Sequence, residues 1–89
     1  MSKLNRSYEY AVATMDEHGD IHNYDFEDTY SDALKCAAHI DGDWMIELWA
    51  DLWNDERGLV DREMYEVIDG VLQGDCPRHV AKHFAMTAA

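Results

Sequence analysis

Two groups of soft and nitrogen-bearing side chains carry the spacing that metal chemistry would need. Cys36-Ala-Ala-His39 sets a thiol and an imidazole three residues apart, and Cys76-Pro-Arg-His79-Val-Ala-Lys-His83 repeats the pair with a second imidazole. Thiolate and imidazole are good zinc ligands, and helical spacings of three and four bring such residues to one side. Asp32, Cys36 and His39 would then share one stripe, and Cys76, His79 and His83 another. Four ligands from two helices could close a tetrahedral site. Against this, Cys-x-x-His is not the tight Cys-x-x-Cys knuckle, both thiols can be simple packing residues, and five histidines make chance spacings common. The expectation is therefore no metal ligands and no cofactor, with a small metal-binding or regulatory domain as the alternative. A nucleophilic Cys–His pair would also need an oxyanion stabiliser that the sequence does not supply. Paired acids such as Asp61 and Glu63 suit a solvated face better than acid–base work. No phosphate-binding glycine loop, serine elbow or His-Glu-x-x-His motif is present, and no enzyme is expected.

A different chemistry is available between residues 47 and 56. Glu47, Trp49, Asp51 and Trp53 lie on one face if the segment is a strand. In a helix, Glu47, Asp51 and Asp55 would still share a side. Glu56 follows directly. Carboxylates form charge-assisted bonds with arginine and lysine, and indole faces attract cations. Glu47, Trp49, Asp51, Trp53, Asp55 and Glu56 are thus the candidate partner-binding set. The competing reading packs both tryptophans beneath a C-terminal helix and leaves the acids merely wet.

The elements that must hold these residues can be read from periodicity. Residues 7–15 alternate, with Tyr8, Tyr10 and Val12 on one face and Glu9 on the other. Residues 21–27 alternate again, and His18-Gly19-Asp20 supplies turn chemistry between them. This predicts a β-hairpin. Thr29 with Asp32 three residues on marks a helix start. Tyr30, Ala33, Leu34, Ala37 and Ala38 give that helix an apolar stripe, which should cover Tyr24 and Phe26 of the hairpin. Asp41-Gly42-Asp43 ends it. Residues 44–53 and 59–72 suit strands or helices alike. Strands are expected, because a lone hairpin is not stable and two more would complete a sheet. Asn54 to Gly58 would join them. Pro77 is placed for the first turn of a last helix, striped by Val80, Ala81, Phe84 and Ala85. The expected fold is α+β, a single acidic domain over 1–89 in the order β-β-α-β-β-α, an antiparallel sheet with helix packed on one face.

Composition bounds the rest. Eighty-nine residues allow one core, and an apolar fraction of 47% is ample for it. No apolar run long enough to span a bilayer exists, and the start lacks the apolar stretch of a secretory signal, so a cytoplasmic location and reduced thiols are expected. The net charge of −12 is unevenly spread. Residues 1–6 and 76–89 carry only basic side chains among their charges. All 19 acids fall in residues 7–75, accompanied only by Lys35, Arg57 and Arg62. Such a body repels nucleic acid and anionic membrane and attracts basic surfaces.

The stretch from Glu47-Leu48 to Asp51, with Asn54-Asp55-Glu56-Arg57-Gly58-Leu59, Asp61-Arg62, Tyr65 and Asp69-Gly70, resembles a pattern in small uncharacterised proteins of phage and mobile-element genomes. The opening of hairpin and capped helix is similar in layout to several small α+β anti-CRISPR proteins. The resemblance implies a protein that binds and blocks a host protein, within the host cytoplasm if phage-encoded. Together with the charge, it predicts a non-enzymatic inhibitor whose acidic face covers a basic surface of a nucleic-acid-processing protein or nucleoprotein complex, as a DNA mimic would. Direct nucleic-acid or membrane partners are not expected.

The acid excess has a consequence for stability. Like charges confined to one body repel, and salt screens them over a Debye length of about 10 Å at ~0.1 M. The melting temperature at neutral pH should therefore rise between low and moderate salt. A flat profile would mean the acids are paired or dispersed enough not to strain the fold.

Overall fold

Alternating side chains and glycine-bearing turns make the chain a set of antiparallel strands, with one helix between the second and third strands and another after the last. A computed structural model describes residues 3–88. Its elements are β1 (Leu4–Met15), β2 (Ile21–Glu27), α1 (Tyr30–Ala37), β3 (Asp43–Asn54), β4 (Gly58–Ile68), β5 (Val71–Leu72) and α2 (Arg78–Thr87). The strands form one antiparallel sheet in the order β2-β1-β3-β4-β5. The fold is α+β, as expected. Residues 44–53 resolve as strand. The expected single strand over 59–72 instead breaks at Asp69-Gly70, where both residues take positive φ (50° and 79°) and let β5 fold back on β4.

β1 and β3 are the long central strands, paired from Leu4↔Asn54 to Met15↔Asp43. Residues opposite each other in a sheet point to the same side. Tyr8, Tyr10 and Val12 therefore share a side with Ala50, Leu48 and Ile46, and the β3–β4 register adds Tyr65 and Val67. Both helices cover this side. Tyr30, Ala33 and Ala37 of α1 and Val80 of α2 join Tyr10, Val12, Ile46, Leu48, Ala50 and Val67 in the core. Thr29 Oγ1 accepts from the Asp32 amide at 3.1 Å and starts α1. The helix ends at Ala37, capped by Ala38 and short of Asp41.

α2 is fastened by polar contacts as much as by packing. Val80 is fully buried and Phe84 half-buried, meeting Tyr30 edge-on at 6.2 Å. Ala81 and Ala85 are exposed, contrary to expectation. His79, His83 and Thr87 turn toward the sheet in their place, because β1 offers hydroxyls there. Tyr10 Oη lies 2.7 Å from Thr87 Oγ1, and Tyr8 Oη lies 2.8 Å from His79 Nδ1.

The expected contact between Tyr24/Phe26 and Leu34/Ala37 does not form. β2 pairs Tyr24 with Ala13 and Phe26 with Ala11, so both rings point away from the helices. Asp25 and Glu27 take the helix side, opposite Val12 and Tyr10. Ala37 is buried without them, while Leu34 remains 41% exposed. With Tyr10 and Val12 buried, the β1–β2 register fixes this, since only a one-residue slip would turn Tyr24 and Phe26 to the helix side. Leu48→Ala, at a fully buried position, is expected to cost about 2–5 kcal/mol. Leu34→Ala should cost less than about 1 kcal/mol, as a surface change. Urea unfolding of both variants checks this, and equal shifts would contradict the assignment of the core.

Candidate functional site

The side of the sheet away from the helices is assembled from the odd-numbered residues of β1 and β3 and their neighbours. Glu9, Ala11 and Ala13 of β1 stand beside Trp49, Glu47 and Met45 of β3. β2 adds Tyr24 and Phe26, and β4 adds Arg62, Met64 and Glu66. Ala11 and Ala13 are small enough to form a floor on which the larger side chains meet, and both are fully buried beneath them. The Trp49 ring centroid lies 5.1 Å from Tyr24 and 5.0 Å from Phe26, each in an edge-to-face arrangement that aromatic quadrupoles favour.

Arg62 closes the other flank of Trp49. Its guanidinium carbon is 4.6 Å from the indole centroid. The same group grips Asp51, with Nε to Oδ1 at 2.8 Å and a terminal nitrogen to Oδ2 at 3.0 Å. This two-pronged bond fits because Asp51 and Arg62 are direct partners across β3 and β4. It also lets a carboxylate exist at 2% exposure, where an unpaired charge would be costly. The bond to Asp51 raises the Arg62 pKa, against a smaller opposing effect of burial.

The six candidate residues thus divide. Glu47, Trp49, Asp51 and Trp53 share the open face of β3, while Asp55 and Glu56 lie in the turn that follows. Trp49 is an interior residue of the face at 7% exposure, and its Nε1 donates to Glu47 Oε1 at 3.2 Å. Asp51 is engaged with Arg62 and does not present a free charge. Trp53 is exposed and donates to Ser7 Oγ at 2.6 Å. Asp55 Oδ1 accepts from the Lys3 amide at 2.9 Å, and the Asp55 amide donates back to the Lys3 carbonyl. Glu56 is exposed.

Reasoning from sequence missed Glu9, Tyr24, Phe26, Arg62, Met64 and Glu66 as members of this face. The signal was the alternation of each strand, which needed the registers to become a map. The registers also bring Glu47 directly opposite Glu66. Among the described residues neither forms an ion pair. Like charges facing across a ladder are unfavourable, so this pair would gain from a cation placed between them.

The cysteine and histidine stripes serve other contacts. Among the described residues no three His, Cys, Asp or Glu side chains converge to hold a metal ion. Cys36 Sγ lies 3.8 Å from Asp25 Oδ2, and burial, reinforced by Asp25 and Glu27, pushes its thiol pKa up. That disfavours the thiolate a metal or a nucleophilic reaction would use. His79 Nε2 faces an Arg6 nitrogen at 3.2 Å. Arginine can only donate, so Nε2 accepts and Nδ1 donates to Tyr8 Oη. His83 stacks on the Tyr8 ring at 4.2 Å and 14°.

Among the described residues no helix is long and apolar enough to cross a membrane. Compared with protein-family models, curated proteins and solved structures, the chain matches none.

His83 Nε2 is buried without a hydrogen-bond partner among the described residues, and burial lowers its pKa. The folded state therefore prefers the neutral ring, whereas the unfolded chain takes up a proton near pH 6.5. Stability contributed by this group is present above that value and is lost as pH falls through it. Melting temperature should drop between about pH 7.5 and about pH 5.5, before most carboxylates titrate. His83→Phe, which keeps a ring against Tyr8, should flatten the slope; identical slopes in both proteins would contradict it.

Proposed function

We propose that this protein is a non-enzymatic inhibitor that lays the open face of its sheet on a basic surface of a nucleic-acid-processing protein. The observation that carries the reading is the unpaired Glu47–Glu66 couple, set on a helix-free face beside Trp49 and its aromatic neighbours. Glu9 adds a third carboxylate to that face. Arg62, which stands on the same face, is already neutralised by Asp51. An arginine or lysine of the partner would relieve the repulsion between Glu47 and Glu66. Exposed Phe26, Met64 and Trp53 would bury apolar surface around it.

The net charge of −12 supports the same reading at longer range, by steering a basic partner toward the face. A surface that binds nucleic acid is itself basic, so an acidic protein seated there would exclude the nucleic acid. Blocking of this kind would make the protein a DNA mimic or an anti-CRISPR-type inhibitor and requires neither a cofactor nor a catalytic group.

The test begins with capture from host lysate at low and high salt, with partners identified by mass. A captured nucleic-acid-binding protein is then challenged with duplex DNA. The wild-type chain should compete with the DNA, and competition should weaken as salt rises. Glu47→Lys with Glu66→Lys should reduce it roughly tenfold or more, since close charge pairs at interfaces couple by over ~1.4 kcal/mol. Reversal of the exposed Asp41 and Asp75 should change it little. Equal losses from both pairs would show that only overall charge matters. Unimpaired competition by the Glu47/Glu66 variant would remove the open face from the mechanism.

A further inference from the structure

The two margins of the sheet are not alike. On one margin β5 is two residues long and pairs only with Val67 and Ile68. β4 from Gly58 to Tyr65 is therefore also paired on one side only, but that stretch carries its own cation, Arg62. β2 is seven residues long, about 24 Å at the usual strand rise, and is paired on one side only. In an antiparallel ladder every second residue of an edge strand turns its N–H and C=O outward. Among the described residues, the backbone of Ile21–Glu27 makes no hydrogen bond other than those to β1. The usual guards of such an edge are charged side chains, lysine above all, proline, a bulge or a covering element. The charges of β2 are acidic, so they guard it against other acidic strands. β2 contains neither lysine nor proline, and the irregularity in its pairing is confined to the turn end, at Thr14/Met15.

What β2 does carry is a sorted set of side chains. Tyr24 and Phe26 point to the open face, and Phe26 is 45% exposed. Asp25 and Glu27 point to the helix side, and neither has a cationic partner among the described residues. A second copy of β2 pairing here about a two-fold axis would bring carboxylates to the same side of the joined sheet. Like charges in that position repel. The edge is thus closed to itself and open to a strand of opposite charge.

We propose that β2 accepts an extended segment of a partner as a sixth strand, its residues alternating basic and apolar. The basic side chains would stand beside Asp25 and Glu27. The apolar ones would extend the Tyr24, Phe26 and Trp49 cluster on the other side. The outward N–H and C=O groups of β2 would supply affinity, and the alternation would supply selectivity. This mode differs from docking on the open face in using the backbone edge of β2 and the acids on its helix side. It shares with the proposed function the Phe26 and Trp49 rings and the sign of the partner's charge.

The probe is a synthetic heptapeptide alternating valine and lysine, compared with one of the same composition in two blocks and one alternating valine and glutamate. Binding is followed by calorimetry and by amide hydrogen exchange. The alternating basic peptide should bind and slow exchange of outward β2 amides, while the blocked and acidic peptides should bind roughly tenfold more weakly or worse. Asp25→Lys with Glu27→Lys should exchange the preference, losing the basic peptide and gaining the acidic one. Glu47→Lys with Glu66→Lys should weaken peptide binding far less than the Asp25/Glu27 reversal does, which separates this edge from the open face. A backbone-methylated version of the basic peptide should fail on the wild-type chain, a result that does not depend on any variant folding. Equal binding of alternating and blocked peptides, or binding that survives backbone methylation, would overturn strand addition and leave only a charge effect.

Discussion

The alternation of β3 is the constraint on which the molecule rests. β3 is paired on both sides, so every second residue is committed to one of two environments. Ile46, Leu48 and Ala50 go beneath the helices. Glu47, Trp49, Asp51 and Trp53 go to the side that no helix covers. Once Leu48 is buried, Trp49 and Asp51 have no other place, and the surrounding strands must accommodate an indole and a carboxylate. Arg62 does so for both, with one guanidinium that bonds the acid and lies over the ring. Replacing this pair by apolar residues of similar size would not necessarily weaken the fold. Its presence instead gives the β3–β4 register an unambiguous chemical mark.

The fold was largely legible in the sequence, and the particular residues show why. Tyr8, Tyr10 and Val12 against Glu9 is a period-two signal with a single interpretation. Thr29 announces a helix through a side chain that bonds its own backbone three residues on. The segment from Trp44 to Trp53 is ambiguous by periodicity; the need of a hairpin for more strands only favours the strand that the structure shows. The orientation of β2 was not legible. The aromatic side of that strand could meet either side of the sheet, and only its register with β1 sends Tyr24 and Phe26 to the open face. The inward side of α2 was misread for a related reason. Alanines look more apolar than histidines, yet His79 and His83 face inward because Tyr8 meets both, one by a hydrogen bond and the other by stacking.

The candidate site was legible as a composition and not as an arrangement. Residues 47–56 were singled out because acids and tryptophans recur there, and four of the six do share a face. Their individual states follow from neighbours far along the chain. Arg62 turns Asp51 from a surface charge into an interior one. Glu66 makes Glu47 one of two acids facing each other across the β3–β4 ladder. Neither effect has a local sequence signature. The chain's acidity is likewise not one property. Some carboxylates are structural, such as Asp16, which accepts the His18 and Asp20 amides in the first hairpin turn and has its pKa lowered chiefly by the latter. Others stand free.

The central seam between β1 and β3 also bears on how the chain finds its structure. β1 with β2, and β3 with β4, are hairpins whose partners are close in sequence, so their loops close cheaply. The seam joins Met15 to Asp43 at its near end and Leu4 to Asn54 at its far end. Bringing those strands together costs more chain entropy than either hairpin, and the contacts that repay it come only after closure. The longest ladder in the molecule is therefore its most non-local one. Topology places this domain among chains whose speed of assembly is governed by one distant encounter, with α1 carried in the loop that has to close.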